Sequence, residues 1–111
     1  MVSRYVPDSG DLIWLDFDPV EGHEQGGHRP AVVLSPFSYN NLVGLLLCVP
    51  CTTKVKGYPF EVDLSNEGVA LADQVTCIDW RARKVKKKGV VSVEALAEIK
   101  EKAKALIGNS N

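Results

Sequence analysis

The chain has 111 residues, 45% of them hydrophobic and 24% charged, with a formal net charge of −1. These proportions suit a folded globular chain and exclude a disordered one, and the length suits one domain over residues 1–111, small enough that pairing with a second copy adds useful burial. The longest unbroken apolar runs are only a few residues and residues 1–10 lack the apolar segment of a secretion signal, so no membrane span is expected and a cytoplasmic location follows.

The first strand is predicted at residues 11–17, after the turn signal Ser9-Gly10, with Ile13, Leu15 and Phe17 on one face and Leu12, Trp14 and Asp16 on the other. Further strands are predicted at 31–35, 45–51, 58–64, 69–72, 75–80 and 88–92, separated by Gly, Pro, Asn and Ser. Within residues 58–64, Phe60, Val62 and Leu64 alternate with Glu61 and Asp63 and should face inward. Pro50 and Pro59 remove ladder donors and belong at a strand edge, a strand start or a bulge. Ser35 followed by Pro36 reads as an N-cap opening a helix of about one turn at residues 36–41. Ser92 caps a longer helix over 93–107, in which Leu96, Ile99, Ala103 and Leu106 form an apolar stripe and Gly108 is the stop. The fold class is therefore mainly β with α: about seven short strands in a small bent sheet or barrel, a short helix, and a C-terminal amphipathic helix packed across it.

Charge is unevenly distributed along the chain. Residues 1–53 hold six acidic residues against Arg4 and Arg29, and the densest basic run, Arg81 to Lys88, reads RARKVKKK. A cluster of that kind attracts phosphate backbones, although most charge runs are simply solvated faces. The cysteines include the pair Cys48 and Cys51 at CxxC spacing. That pair falls in a strand-like run instead of at a helix start, and no second pair completes four zinc ligands, so reduced, buried cysteines are expected and no metal or cofactor.

Between the first two strands lies GHEQGGHRP, residues 22–30. Pro30 pushes the Arg29 backbone toward extended geometry, while Gly26 and Gly27 permit the loop carrying His23, Glu24 and Gln25 to swing over a ligand. Carboxylate, imidazole, guanidinium and hydroxyl together suit metal-free RNA cleavage: a base takes the 2′-hydroxyl proton, a cation steadies the crowded phosphorus, and an acid protonates the departing oxygen. Glu24, His23 and His28 are each candidates for base or acid. Arg29 can grip a phosphate through two parallel hydrogen bonds, Thr52 or Thr53 can donate a hydroxyl, and Lys54 and Lys56 extend the positive path.

The ordered motifs GDLIWLDFDP, EQGGHRPAVVLSP, YN, CVPCTT, KGYPFEV, GVALADQV and WRAR cover nearly the whole chain. Together they resemble the MazF/PemK family of toxin endoribonucleases from bacterial toxin-antitoxin systems. The resemblance implies a small Src-homology-3-like barrel of the CcdB/PemK/MazF type, assembled as a homodimer. It implies metal-independent cleavage of single-stranded mRNA to 2′,3′-cyclic phosphate and 5′-hydroxyl ends, which inhibits translation and growth.

Carried over by motif, Arg29 and Thr52 look like the catalytic pair, with Glu24 and His28 joining them. Phe17, Asp18, His23, Gln25, Thr53, Lys54, Lys56, Tyr58, Gln74 and Arg81 are the implied RNA contacts. The implied partner is a MazE-like antitoxin whose acidic tail covers the RNA groove, so that DNA is met only through the antitoxin complex. Residues 63–71, DLSNEGVAL, look shorter than the corresponding family loop, which bears on substrate preference. The alternative function is a non-catalytic poison of gyrase like CcdB.

Overall fold

The computed structural model describes residues 4–17, 22 and 27–108. Along them run β1 (Asp11–Asp16), β2 (His28–Val33), α1 (Phe37–Val43), β3 (Leu45–Thr52), β4 (Glu61–Asp63), β5 (Val69–Leu71), β6 (Thr76–Asp79), β7 (Lys86–Val90) and α2 (Val93–Ile107). A single 3-10 turn, Ser65–Glu67, links β4 to β5. Every pairing is antiparallel, in the order β4-β5-β3-β2-β1-β7, with β6 alongside β3. None of the described helices is long and apolar enough to cross a membrane.

β3 is the strand on which the sheet turns. One of its edges pairs with β2; along the other, Leu45 to Cys48 pair with β6, and Cys51 and Thr52 pair with β5. Pro50, expected at an edge, a start or a bulge, lies inside β3 at this change of partner, past the β6 ladder and short of the β5 ladder, where a missing N–H is tolerated. β4 is shorter than the predicted 58–64 because the Glu61 carboxylate accepts the N–H groups of Lys56 and Gly57 (3.0 and 2.9 Å), which turns the preceding residues away from the ladder.

The alternation of β1 has a consequence beyond one buried face: both faces are covered. Leu12 joins Val32, Val49, Cys51, Val62, Ala70 and Ile99 in one core, beneath α2. Ile13 and Leu15 join Ala31, Val33, Leu46, Cys48, Ile78 and Trp80 in a second, with Phe17 packed against it. A small bent sheet buries both sides of its central strands in this way, which is how a chain of this length gains enough apolar burial.

α2 begins as predicted, with the Ser92 hydroxyl accepting from the Ala95 N–H at 3.0 Å, and it stops at Gly108. Its stripe is shorter than the periodicity suggests. Ile99 and Ala103 are buried and Leu96 packs on the first core, but Leu106 is half exposed.

α1 corrects one expectation. Ser35 is not its cap: Pro36 occupies that position, with no side-chain cap bond, and the helix runs seven residues to Gly44, whose φ of 77° closes it. The Ser35 hydroxyl is committed inward, donating to Asn40 Oδ1 (2.6 Å) and accepting from the Leu47 N–H (2.9 Å). Asn40 is fully buried. Its Nδ2 donates to the carbonyls of Pro7 and Ser35 (2.9 and 3.0 Å), and its own carbonyl accepts from Trp80 Nε1 (3.0 Å). One side chain thus ties the N-terminal arm, the end of β2 and α1 together beside Trp80.

Asn40→Ala would leave buried acceptors and a hydroxyl without partners, and a loss of about 2–3 kcal/mol is expected. A urea titration followed by tryptophan fluorescence reads it as a lower midpoint at unchanged slope; a midpoint equal to the parent's would deny Asn40 this role.

Candidate functional site

A cavity of about 510 Å³ opens where β1, β2, β3 and β7 meet the Ser65–Glu67 turn. His28, Arg29, Thr52, Thr53, Lys54 and Lys56, all expected site residues, line it. His28 and Arg29 come from β2, Thr52 ends β3, and Thr53, Lys54 and Lys56 follow it; the two strands meet because β2 and β3 pair, Ala31 opposite Pro50, which sets Arg29 beside the C-terminal end of β3. Arg29 Nη1 donates to the Cys51 carbonyl at 3.3 Å, fastening the guanidinium next to Thr52. Thr52 is buried and its Oγ1 accepts the Lys54 N–H at 3.1 Å, so the hydroxyl hydrogen can point to an incoming oxygen.

The cavity also contains Trp14, Asn66 and Glu67, which were not among the expected site residues, and Lys88, the last residue of the basic run. Trp14 stacks on His28, with centroids 5.4 Å apart and planes within 6°. Lys88 is the residue skipped in the β1–β7 ladder, since Leu12 faces Gly89 and Ile13 faces Lys87. Such a bulge re-aims a side chain. Here the Lys88 ammonium lies 5.2 Å from the Trp14 ring centroid and contacts both carboxylate oxygens of Glu67, at 2.8 and 2.9 Å. Trp14 was placed by the alternation of β1 on the face shared with Leu12 and Asp16, but nothing in that pattern marked it as a cavity residue. Lys88 was hidden in a run of like charges, and Glu67 had no local signal, because the turn that aims it is set by tertiary packing.

Gly68 fixes the far wall. Its φ is 80° and its ψ −132°, and a Cβ added there would lie 2.2 Å from the Thr52 carbonyl oxygen, so the chain passes Thr52 at a distance that only glycine permits.

Other expected contacts stand apart from this cavity. Phe17 packs on the second core, its N–H donating to the Gly27 carbonyl at 3.0 Å. Tyr58 is exposed on the turn before β4, with the Lys56 ammonium 5.8 Å from its ring centroid. Gln74 sits in the turn after β5, where its carbonyl accepts from the Thr76 hydroxyl. Arg81 is committed elsewhere: Nη2 donates to the Asn41 carbonyl at the end of α1 (2.7 Å), and the guanidinium stacks 5.0 Å from the Trp80 ring centroid. Asp18, His23, Glu24 and Gln25 lie outside the described residues.

The CxxC pair is split by strand geometry. Residues three apart in a strand face opposite sides, and Cys48 belongs to the second core while Cys51 belongs to the first. Burial pushes both thiols up to about 12; for Cys51 the nearby Glu67 adds to the rise, while Arg29 and Lys88 oppose it. At about pH 8 both then stay in the unreactive thiol form. A thiol reagent at that pH should therefore label exposed Cys77 in the native protein, and Cys48 and Cys51 only after unfolding. Rapid labelling of Cys51, read by peptide mass, would contradict the burial.

Comparison with known proteins places this geometry. Residues 8–107 match the family described as the PemK-like, MazF-like toxin of type II toxin-antitoxin systems. The chain is 68% identical, over an aligned length of 111 residues covering 97% of it and all of the relative, to the endoribonuclease toxin MazF of Escherichia coli strain K12. Its structure resembles crystal structures from Deinococcus radiodurans: MazF, with a TM-score of 0.88, 48% identity and coverage of 95% of this chain and 99% of that one; and a MazE-MazF complex, with a TM-score of 0.83, 42% identity and coverage of 95% and 98%. The small β-rich architecture and the kinship expected from the motifs are both found, and the chain belongs to the PemK-like, MazF-like family of type II toxins.

Proposed function

We propose that this toxin is an endoribonuclease acting as one domain over residues 1–111 in the cytoplasm, cutting single-stranded mRNA and so arresting translation and growth. The observation that carries the reading is the Arg29 guanidinium held at the Cys51 carbonyl, beside the buried Thr52 hydroxyl, in one cavity with His28, Lys54 and Lys56. In the reaction the ribose 2′-oxygen attacks the adjacent phosphorus and the bond to the 5′-oxygen breaks, giving a 2′,3′-cyclic phosphate and a 5′-hydroxyl. The 2′-proton goes to a base and the departing oxygen receives one from an acid, roles open to Glu24, His23 and His28. Arg29 and Thr52 bind the non-bridging oxygens, where negative charge grows as the fifth bond to phosphorus forms. The attacking group belongs to the substrate and the charge is met by a guanidinium, so no metal or cofactor is required.

Two companions fit the same reading. Phe37, Tyr39, Leu42 and Val43 of α1 and Leu47 of the adjoining β3 are exposed, which supports a homodimer through this face. The Deinococcus radiodurans MazE-MazF complexes support a MazE-like antitoxin as partner, with an acidic tail laid across the cation-lined cavity. DNA would be reached only through that antitoxin.

The decisive experiment incubates purified protein with single-stranded RNA, with and without EDTA, and maps the ends. Cleavage that persists in EDTA, leaves cyclic phosphate and 5′-hydroxyl ends, and stops when the scissile 2′-hydroxyl is replaced by hydrogen is the expected result. Cleavage of the deoxy-substituted strand at the same rate would defeat the mechanism. Intact RNA together with cleaved DNA trapped on gyrase would favour the gyrase poison instead.

A further inference from the structure

The basic run after β6 divides into two kinds of lysine. Lys87 pairs with Asp11 (3.7 Å) and Lys88 with Glu67. Lys84 and Lys86, among the described residues, have no such partner, and both line a second cavity of about 470 Å³ on β1 and β7. This cavity shares only Trp14 and His28 with the first, so the stacked ring pair borders both.

The cavity is built on a restrained turn. The Asp79 carboxylate accepts the Ala82 N–H at 2.9 Å, and the Asp79 carbonyl accepts the Arg83 N–H at 3.2 Å. Arg83 Nη1 then donates to the Asp16 carbonyl at 2.7 Å, tying the turn to the end of β1. Lys84 follows at φ 53°, a left-handed conformation that a non-glycine residue adopts only where its surroundings impose it. Lys86 comes next but one, directly opposite Trp14 in the β1–β7 ladder. The Trp14 ring is taken up by His28 and the Lys88 ammonium, so the ring left for a base is His28, exposed and backed by Trp14, with two uncommitted ammonium groups on the same cavity wall; a ring face for the base and cations for the phosphate are what one nucleotide of an unpaired strand requires.

We propose that this cavity is a second nucleotide subsite, taking the base of a residue flanking the scissile linkage against the His28 ring, which Trp14 backs, and its phosphate between Lys84 and Lys86. The proposal rests on the endoribonuclease reading. It makes RNA length on one side of the cut a determinant of affinity, separate from the reaction at Arg29.

The test uses the full chain and two kinds of RNA probe: the shortest oligonucleotide cut at a mapped site, and the same oligonucleotide lengthened by about three nucleotides on its 5′ or its 3′ side. One of the two extensions is expected to lower KM by about tenfold with kcat unchanged. The double variant Lys84→Ala, Lys86→Ala should cancel that gain, raising KM for the lengthened probe alone. Binding of the lengthened probe, made uncleavable by a deoxyribose at the cut, should lose about 0.7 from its logarithmic salt slope per phosphate contact removed. Lys104→Ala, on α2 away from both cavities, controls for general charge.

A penalty equal on short and long probes, one equal to that of Lys104→Ala, or no gain from either extension would overturn the subsite. If the parent protein cuts no RNA, the endoribonuclease reading fails. Binding of a single-stranded RNA of mixed sequence, about ten nucleotides long, then still decides this one: a salt slope left unchanged by the double variant overturns the subsite, and a reduced slope supports it.

Discussion

Arg29→Ala is expected to lower kcat for RNA cleavage by about a thousandfold while the protein stays folded. The magnitude follows from what the guanidinium offers the phosphate. A donor aimed at charge that develops only in the transition state is worth about 10²–10³ in rate in a partly enclosed site, and a guanidinium contributes two parallel donors and a full charge. The stability change should be small, about 1 kcal/mol, because Arg29 is half-buried and its bond to the Cys51 carbonyl is long, at 3.3 Å. Arg29→Lys separates charge from shape: an ammonium keeps the positive charge but cannot hold two oxygens in one plane, so a partial rescue of about tenfold is expected. Single-turnover cleavage with saturating enzyme, alongside a thermal melt, measures both quantities. An alanine variant retaining more than about a tenth of the parent rate would move the phosphate-binding role away from Arg29.

What the sequence revealed depended on how local the controlling physics was. Alternation at Leu12, Ile13 and Leu15 located β1, and Ser92 with the later Gly108 located α2, because strand pleat and helix caps are written within a few neighbouring residues. The cluster of Arg29 and Thr52 was legible through ordered motifs, and the pairing of β2 with β3 brings their segments together. Three features were not legible. Ser35 carries a perfect local cap signal before Pro36, yet buried Asn40 needs its hydroxyl more than the helix start does. Arg81 sits in a basic run but spends its guanidinium on Asn41 and Trp80, partners about 40 residues and one residue away in sequence. Lys88 reaches the cavity only because the ladder skips it, and a skipped residue depends on both strands at once.

Gly68→Ala is expected to be the most damaging single change in stability, and to disable the site as well. The backbone there has φ 80° and ψ −132°, a region open in practice to glycine alone, and the new Cβ would meet the Thr52 carbonyl oxygen at 2.2 Å and its carbonyl carbon at 2.9 Å. Backbone cannot rotate aside as a long side chain can. The first pair of the β3–β5 ladder beyond the turn, Thr52 opposite Val69, must therefore part, and the Leu64 N–H would lose the Gly68 carbonyl it now bonds at 2.8 Å. Strain, a broken ladder and a displaced turn together amount to about 4 kcal/mol, which for a domain of this size lowers Tm by about 15–20 °C. The same displacement moves Thr52 away from Arg29 and carries Glu67 away from Lys88, so activity per folded molecule should fall at least about tenfold even at a temperature where the variant remains native. A melt followed by circular dichroism, with cleavage rates normalised to the folded fraction, reads the two effects separately. A variant melting within about 2 °C of the parent would mean that the chain passes Thr52 with room to spare, and the close approach that sets the far wall of the cavity would have to be abandoned.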